Sequence, residues 1–281
     1  MNMKKTLIIL LCLLCGWTCR AQKSEIGAMV GTSFYLGDLN PRTVFGMPQL
    51  AGGIIYRYNF SPRWAIRANV LFAKVAGDDA ITNKHYERNL SFTSPITEIA
   101  VQGELNFFRL YHERGKNFFS PYLFGGIALF SFNPQAADVD GTVYDLQPLG
   151  TEGQGFEGER KHYSLCNVAI PFGLGFRFNF AKYISLGFEW GMRFTFTDYL
   201  DDVSGNYYDN QLLKENRGSA VARLADKSEN VHAAGTGRGN STTKDFYSFA
   251  GVVLTVRFGE ADNHCNLRTN VHRKAVGGTS K

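Results

Sequence analysis

The sequence predicts an all-β fold: an eight-stranded antiparallel transmembrane β-barrel of the smallest size, with long loops at one end. Three observations lead there. Long runs alternate bulky apolar with small or charged residues, as in Ile184 to Phe196, "ISLGFEWGMRFTF". Eight such runs occur, several of them near the ~9–11 residues that a tilted strand needs to cross a bilayer. The segments between them alternate between short and long, which is the pattern of outer-membrane barrels.

Side chains on a strand point alternately to opposite faces. In 184–196 one row is Ile184, Leu186, Phe188, Trp190, Met192, Phe194 and Phe196; the other holds Ser185, Gly187, Glu189, Gly191, Arg193 and Thr195. The first runs, 26–36 and 50–60, are weaker, with Ile54, Tyr56, Tyr58 and Phe60 opposed to Gly53, Ile55, Arg57 and Asn59. In the third, Trp64, Ile66, Ala68, Val70 and Phe72 oppose Ala65, Arg67, Asn69 and Leu71. The fourth sets Thr97, Ile99, Val101, Leu105 and Phe107 against Ile96, Glu98, Ala100, Gln102, Glu104 and Asn106. The fifth, 122–132, is again weaker. The sixth has an unbroken apolar row from Cys166 to Phe180 against a row with Gly173, Gly175, Arg177 and Asn179. The eighth sets Phe246, Ala250, Val252, Leu254, Val256 and Phe258 against Tyr247, Phe249, Gly251, Val253, Thr255 and Arg257.

The connections 61–62, 109–119 and 181–183 are short; 37–49, 76–95, 133–163 and 197–245 are long and polar. An even strand count leaves both termini on the short-turn side. A soluble sandwich would bury the bulky rows and wet the polar ones. Here the second rows are mostly small, with isolated charges, which suits the lumen of a barrel just wide enough for its own side chains. The bulky rows, with aromatics near their ends, suit lipid.

The charges then point inward. Arg57, Arg67, Glu98, Glu104, Arg177, Glu189, Arg193 and Arg257 form a lumen charge network in which each buried charge needs a partner. An ion pathway and a filled, salt-bridged core are the two readings; the strand count favours the filled core.

The chain of 281 residues divides into a signal peptide at 1–21, a barrel at 22–258 and a polar tail at 259–281. Lys4 and Lys5 precede a short apolar run, and Ala21 fits cleavage before Gln22. Export by the general secretory route into a Gram-negative envelope follows, with the termini in the periplasm. Cys12, Cys15 and Cys19 raise a lipoprotein signal as a competitor, without the full small-residue context. The mature chain keeps Cys166 and Cys265, too few for a disulfide framework, and two free thiols are expected. A net charge of +5 without a basic stripe argues against nucleic acid.

Little catalytic chemistry is legible, so the expectation is a non-enzymatic protein without cofactor. The histidines 85, 112, 162, 232, 264 and 272 are scattered, and no metal site is readable. "GTGRG" at 235–239 lacks the strand and helix of a phosphate loop and reads as a flexible linker. Asp198, Asp201, Asp202, Asp78 and Asp79 offer carboxylates for a cation, but a hydrated loop is the expected state.

Several stretches together resemble a known family: "YLGDLNP" (35–41), "YRYNFSPRWAIR" (56–67), "AGDDA" (76–80), "RNLSFTSP" (88–95), "FSPYLFGGIALFSFNP" (119–134), "LQPLGTEGQG" (146–155), "IPFGLGF" (170–176) and "EWGMRFTFTDYLDDVSG" (189–205). They are similar to the PorG type of outer-membrane barrel of the type IX secretion system; 209–245 and the tail carry no matching motif. The resemblance implies a structural component of that protein-secretion machinery. Its partners would be a PorK-like lipoprotein and a PorN-like protein forming a periplasmic ring, with the barrel as anchor and not as conduit. Such a ring would meet the short-turn face. There Arg109, His112, Glu113, Arg114 and Lys116 make the longest turn charged and are the nominated partner-binding residues. The long loops either bind a surface-side partner or pack over the barrel mouth, with Leu146, Leu149 and Leu200 as apolar contacts; packing is the favoured reading. The alternatives from other classes are a lipid-modifying barrel enzyme and an adhesion or porin-like protein.

Overall fold

A computed structural model describes residues 24–82, 86–111, 117–181 and 183–258. The expected signal peptide, the tail, Cys265, His112, Glu113, Arg114 and Lys116 lie outside the described residues. Among the described residues ten strands occur: β1 (Ser24–Leu36), β2 (Gln49–Asn59), β3 (Trp64–Asp78), β4 (Ser91–Asn106), β5 (Phe119–Phe132), β6 (Gln135–Ala137), β7 (Val143–Asp145), β8 (Cys166–Asn179), β9 (Ile184–Thr195) and β10 (Phe246–Phe258). Eight of them pair antiparallel in the order β3-β2-β1-β10-β9-β8-β5-β4, and the β3–β4 pairing closes the cylinder. Strands β6 and β7 form a small hairpin in the long connection after β5. The other elements among the described residues are a single turn, α1 (Asp79–Thr82), a 3-10 turn at Gln147–Leu149, and two short helices, α2 (Asn210–Arg217) and α3 (Ser219–Ala225).

Closure removes every free edge among these eight strands, as a sheet in hydrocarbon requires. β1 meets β10 from Ser24 opposite Phe258 to Leu36 opposite Phe246. Glycines let these two strands approach closely. A Cβ on Gly31 would lie 2.2 Å from the Ala250 carbonyl oxygen, and one on Gly251 2.4 Å from that of Val30. One interruption occurs between β5 and β8, whose ladder skips Gly126 and Ile127 opposite Ile170 and Pro171. Proline has no N–H to donate.

The faces divide as the alternation predicts. Ile26, Val30, Ile54, Phe72, Ile99, Ile127, Leu129, Phe172, Phe188 and Leu254 are all exposed on the outer wall. At the short-turn end Phe60, Trp64, Phe107, Phe118, Phe180 and Phe258 form an exposed aromatic ring. The inner row departs from the expected small residues. Tyr122, Phe124, Phe130 and Phe132 of β5 and Tyr247 and Phe249 of β10 are buried inside. Neighbouring strands supply the space, since Phe124 fills the volume left by Gly173 and Gly191, and a Cβ on either would approach its ring to 2.6 Å.

The hairpin β3–β4 is longer than the sequence suggested. Pairing runs up to Asp78 opposite Ser91, so the connection is 79–90 and not 76–95. The segment 209–245, which showed no motif, holds α2 and α3. Asp209 caps α2, its side chain accepting from the backbone N–H of Gln211 and Leu212.

Gly31→Val forces side-chain atoms into the β1–β10 ladder, and overpacking of this kind costs about 1–3 kcal/mol or more. The expected outcome is loss of the compact, heat-modifiable band on gels. Wild-type migration of the variant would remove close β1–β10 packing as a requirement for closure.

Candidate functional site

Two features distinguish this barrel: a sealed ionic lumen and a mouth covered by its own loops. In the lumen, the register sets Arg57 of β2 directly opposite Arg67 of β3. Like charges placed so are destabilising, and carboxylates from three other strands offset them. Arg57 reaches Glu25 of β1 at 3.2 Å and Glu104 of β4 at 3.0 Å. Arg67 reaches Glu189 of β9 at 2.6 Å and Glu104 at 3.8 Å. Arg177 of β8 pairs with Glu25 and, at 3.6 Å, with Glu104. A second cluster lies nearer the long loops, where Arg193 donates to Glu98 at 2.9 Å and Tyr247 donates to the same carboxylate at 2.8 Å.

Neutral groups complete the set. Gln102 accepts from Arg67 at 2.6 Å, Tyr122 donates to Glu189 at 2.9 Å, and Asn59 and Thr255 donate to Glu25 at 2.8 and 3.0 Å. The Arg67 guanidinium lies 4.0 Å from the centre of the Phe124 ring. Four arginines face four glutamates, each at most 5% exposed. Buried charges are tolerated only when paired and hydrogen-bonded, and this lumen balances without a mobile counter-ion.

Of the sequence-nominated lumen residues, Arg57, Arg67, Glu98, Glu104, Arg177, Glu189 and Arg193 are drawn together in these two clusters. Arg257 is half-buried and opposite Glu25 across the β1–β10 ladder. Glu25 joins the first cluster although it lies outside the expected strand, one residue before Ile26. Its parity with Gly27, Met29 and Gly31 was the available signal. Arg109 is exposed on the 107–118 connection.

Above the ionic layer the lumen turns apolar. Ile55, Leu71, Val75, Ile96, Phe130, Phe132 and Phe249 pack into one core that continues into Leu39, Leu90, Leu200 and Val203 of the loops. Thus the loops close the mouth. Arg88 binds three of them together: it holds Asp79 with two bonds of 2.7 Å and donates to the carbonyls of Arg238 at 2.6 Å and Asp38 at 3.2 Å. Arg238 donates to the Asp202 carbonyl at 2.6 Å and to Glu152 at 3.2 Å. The "GTGRG" stretch is therefore an anchor and not a flexible linker, because its one guanidinium satisfies buried acceptors.

Four of the five aspartates are likewise buried and not spread over an open loop. Asp79, Asp198, Asp201 and Asp202 are buried and Asp78 is half-buried. Asp202 accepts from Thr151 at 2.5 Å and Tyr163 at 2.6 Å. Burial pushes its carboxyl up to about 6 against the pull of Arg238. Burial likewise lifts Asp198 to about 6. Among the described residues no group of three potential ligands is placed to hold a metal ion.

Loop 133–165 and the helical pair lock together. Leu213, Val221, Ala222 and Ala225 pack with Leu149, Phe156 and Tyr208. Leu146 and Leu200 are buried and Leu149 is partly buried, so all three supply apolar contacts within the cap. Gly150, at φ 58°, leaves room for Arg217, which donates to its carbonyl at 3.0 Å and to that of Gln154 at 2.7 Å. Beside this cap a cleft of about 750 Å³ opens, lined in part by Tyr86, Arg88, Tyr207, His232 and Lys244. His162 bonds the Gln147 carbonyl at 2.8 Å, and Cys166 is a free, exposed thiol.

A closed eight-stranded cylinder with an apolar outer wall and an ion-paired interior defines the class: a small barrel of the outer-membrane type. The chain belongs to the DUF6089 family, a domain of unknown function that matches residues 4–219. No curated protein matches it in sequence. Among solved structures it is similar to Ail, the attachment invasion locus protein of Yersinia pestis, in a complex with the heparin analogue sucrose octasulfate. Identity is 9% over 84% of this chain and 97% of that one, with a TM-score of 0.39. Neisserial surface protein A is similar at 9% identity over 84% and 97%, TM-score 0.42. OprG of Pseudomonas aeruginosa is similar at 10% over 86% and 98%, TM-score 0.38.

Glu25→Ala leaves Arg57 and Arg177 short of a carboxylate inside the lumen. Removing one partner of a buried ion pair costs about 3–5 kcal/mol. The expected result is a lower urea midpoint for unfolding in detergent or lipid, with Glu98→Ala acting on the separate Arg193 cluster. An unchanged midpoint for Glu25→Ala would show that the lumen charges do not depend on it.

Proposed function

We propose that this chain is a non-enzymatic structural component of the outer membrane of a Gram-negative cell. In this reading it anchors a periplasmic assembly of the type IX protein secretion machinery. The observation that carries the anchoring role is the sealed lumen. Four buried ion-paired arginines, their carboxylates and an apolar plug leave no passage for a polypeptide. A barrel that cannot conduct cargo contributes through its surfaces. Its apolar outer wall holds it in lipid, and its short-turn face is open to the periplasm.

The specific partners, a PorK-like lipoprotein and a PorN-like ring protein, come from the resemblance to the PorG type of barrel. The nominated contacts are Arg109, His112, Glu113, Arg114 and Lys116 on the longest short-side turn. Charge there favours an oppositely charged partner surface and sets association and orientation more than it sets packing.

Replacing Arg109, Arg114 and Lys116 together by glutamate is expected to weaken co-purification with the PorK- and PorN-like proteins at least tenfold and to lower secretion. The barrel should still show heat-modifiable migration. Unchanged co-purification and secretion would remove this turn as the contact. Absence of any such ring in a pull-down from membranes would remove the secretion role.

A further inference from the structure

The loop cap is joined to the barrel rim by three side chains in mutual hydrogen-bond contact. Tyr35, the penultimate residue of β1, is fully buried and donates to Asp201 of loop 196–245 at 2.5 Å. Its hydroxyl oxygen also lies 3.0 Å from an oxygen of Asp245, where that loop returns to β10. A phenol has one proton and cannot donate twice. The phenol proton goes to the nearer acceptor, Asp201. The second contact is a hydrogen bond only if Asp245 is a carboxylic acid that donates to the phenol oxygen.

Each carboxyl uses its other oxygen to hold the loop. Asp245 accepts from the Leu200 N–H and Asp201 from the Val203 N–H, both at 2.9 Å. Leu200 and Val203 are the loop residues that complete the apolar plug. No lysine, arginine or histidine of the described residues makes an ion pair with either carboxylate, so nothing replaces the proton if it leaves. A Cβ on Gly37 would lie 2.0 Å from the Asp245 oxygen, so the chain packs tightly around this point.

We propose that Tyr35, Asp201 and Asp245 form a proton-holding latch that keeps loop 196–245 seated over the barrel mouth and releases it as the surrounding pH rises. Loss of the proton sets two carboxylates against one phenol in a dry pocket. Burial and the neighbouring Asp38 push Asp201 well above the usual carboxylate range, and burial and Asp201 do the same for Asp245.

The sign is as follows. An open loop gives up its proton at the ordinary aspartate value near 4, whereas the seated loop must keep it. The stabilisation is therefore complete below about 4 and is lost as pH rises through the value of the closed latch, with opening favoured about tenfold per pH unit between them. Other charged groups facing the latch are Asp38 from loop 37–48 and Arg88, held by Asp79, from 79–90. From loop 196–245 itself come Asp198, with Lys244 beside it, and Asp202 with Arg238. Two of these, Asp198 and Asp202, stand at about 6, so the test must separate them from the latch.

Asp245→Asn does so. Its amide NH₂ donates to the Tyr35 oxygen and its carbonyl still accepts from Leu200, so it reproduces the protonated latch at every pH. The measurement is hydrogen exchange of the Leu200 and Val203 amides of the full chain in lipid nanodiscs, from pH 5 to 9, corrected for the intrinsic exchange rate. Wild type is expected to lose protection by about tenfold per pH unit over part of this range. Asp245→Asn is expected to stay protected throughout, and Asp201→Asn serves as a second variant with the same expectation. Either flat protection in wild type or an equally steep loss in both folded variants would overturn the latch.

Discussion

The fold rests on one constraint: a strand in hydrocarbon must have all its backbone polar groups paired, so the sheet has to close. Closing it with eight strands fixes a lumen only as wide as its own side chains. That in turn dictates the chemistry inside. With little room for bulk solvent, every inward charge must be neutralised by another. The register of β2 against β3 makes this demanding, because it sets Arg57 beside Arg67. Glu25, Glu104 and Glu189 come from β1, β4 and β9 to meet them. Two of these pairs, Arg57–Glu104 and Arg67–Glu189, tie together strands that are not neighbours in the sheet, the second across the width of the cylinder.

The barrel was legible in the sequence because strands that face lipid on one side and a narrow lumen on the other carry period-two patterning. Strands β8 and β9 show it along their whole lengths, Cys166–Asn179 and Ile184–Thr195. Strand β5 does not, since Phe124, Phe130 and Phe132 turn inward while Ile127 and Leu129 face outward. The room for Phe124 comes from Gly173 and Gly191 on other strands, and a single strand's pattern cannot show that. The lumen charges were readable from parity alone, apart from Glu25 at the very start of β1.

The loops were much less legible. Asp201, Asp202 and Arg238 read as ordinary polar loop residues, yet they are among the most buried groups in the chain. Their burial depends on partners far away in sequence, such as Tyr35, Thr151 and Glu152. No local period encodes such contacts. The cap thus has a core of its own, apolar at its base and hydrogen-bonded above. It covers a lumen that is already filled, so the two seals are redundant as barriers and differ in kind. One is fixed by ion pairs between strands, the other by loops that a change of conditions can loosen.

The placement of Arg57 and Arg67 also bears on how the molecule reaches its membrane. A β2–β3 hairpin entering lipid by itself would carry two adjacent guanidinium groups, with its one carboxylate, Asp78, far off at the loop end of β3. Its neutralising residues arrive with the first strand, the fourth and the ninth. Stepwise threading of hairpins is therefore disfavoured, and the sheet has to curl upon itself before its midsection leaves water. Biogenesis of this barrel is a collective event, governed by residues that no lipid ever touches.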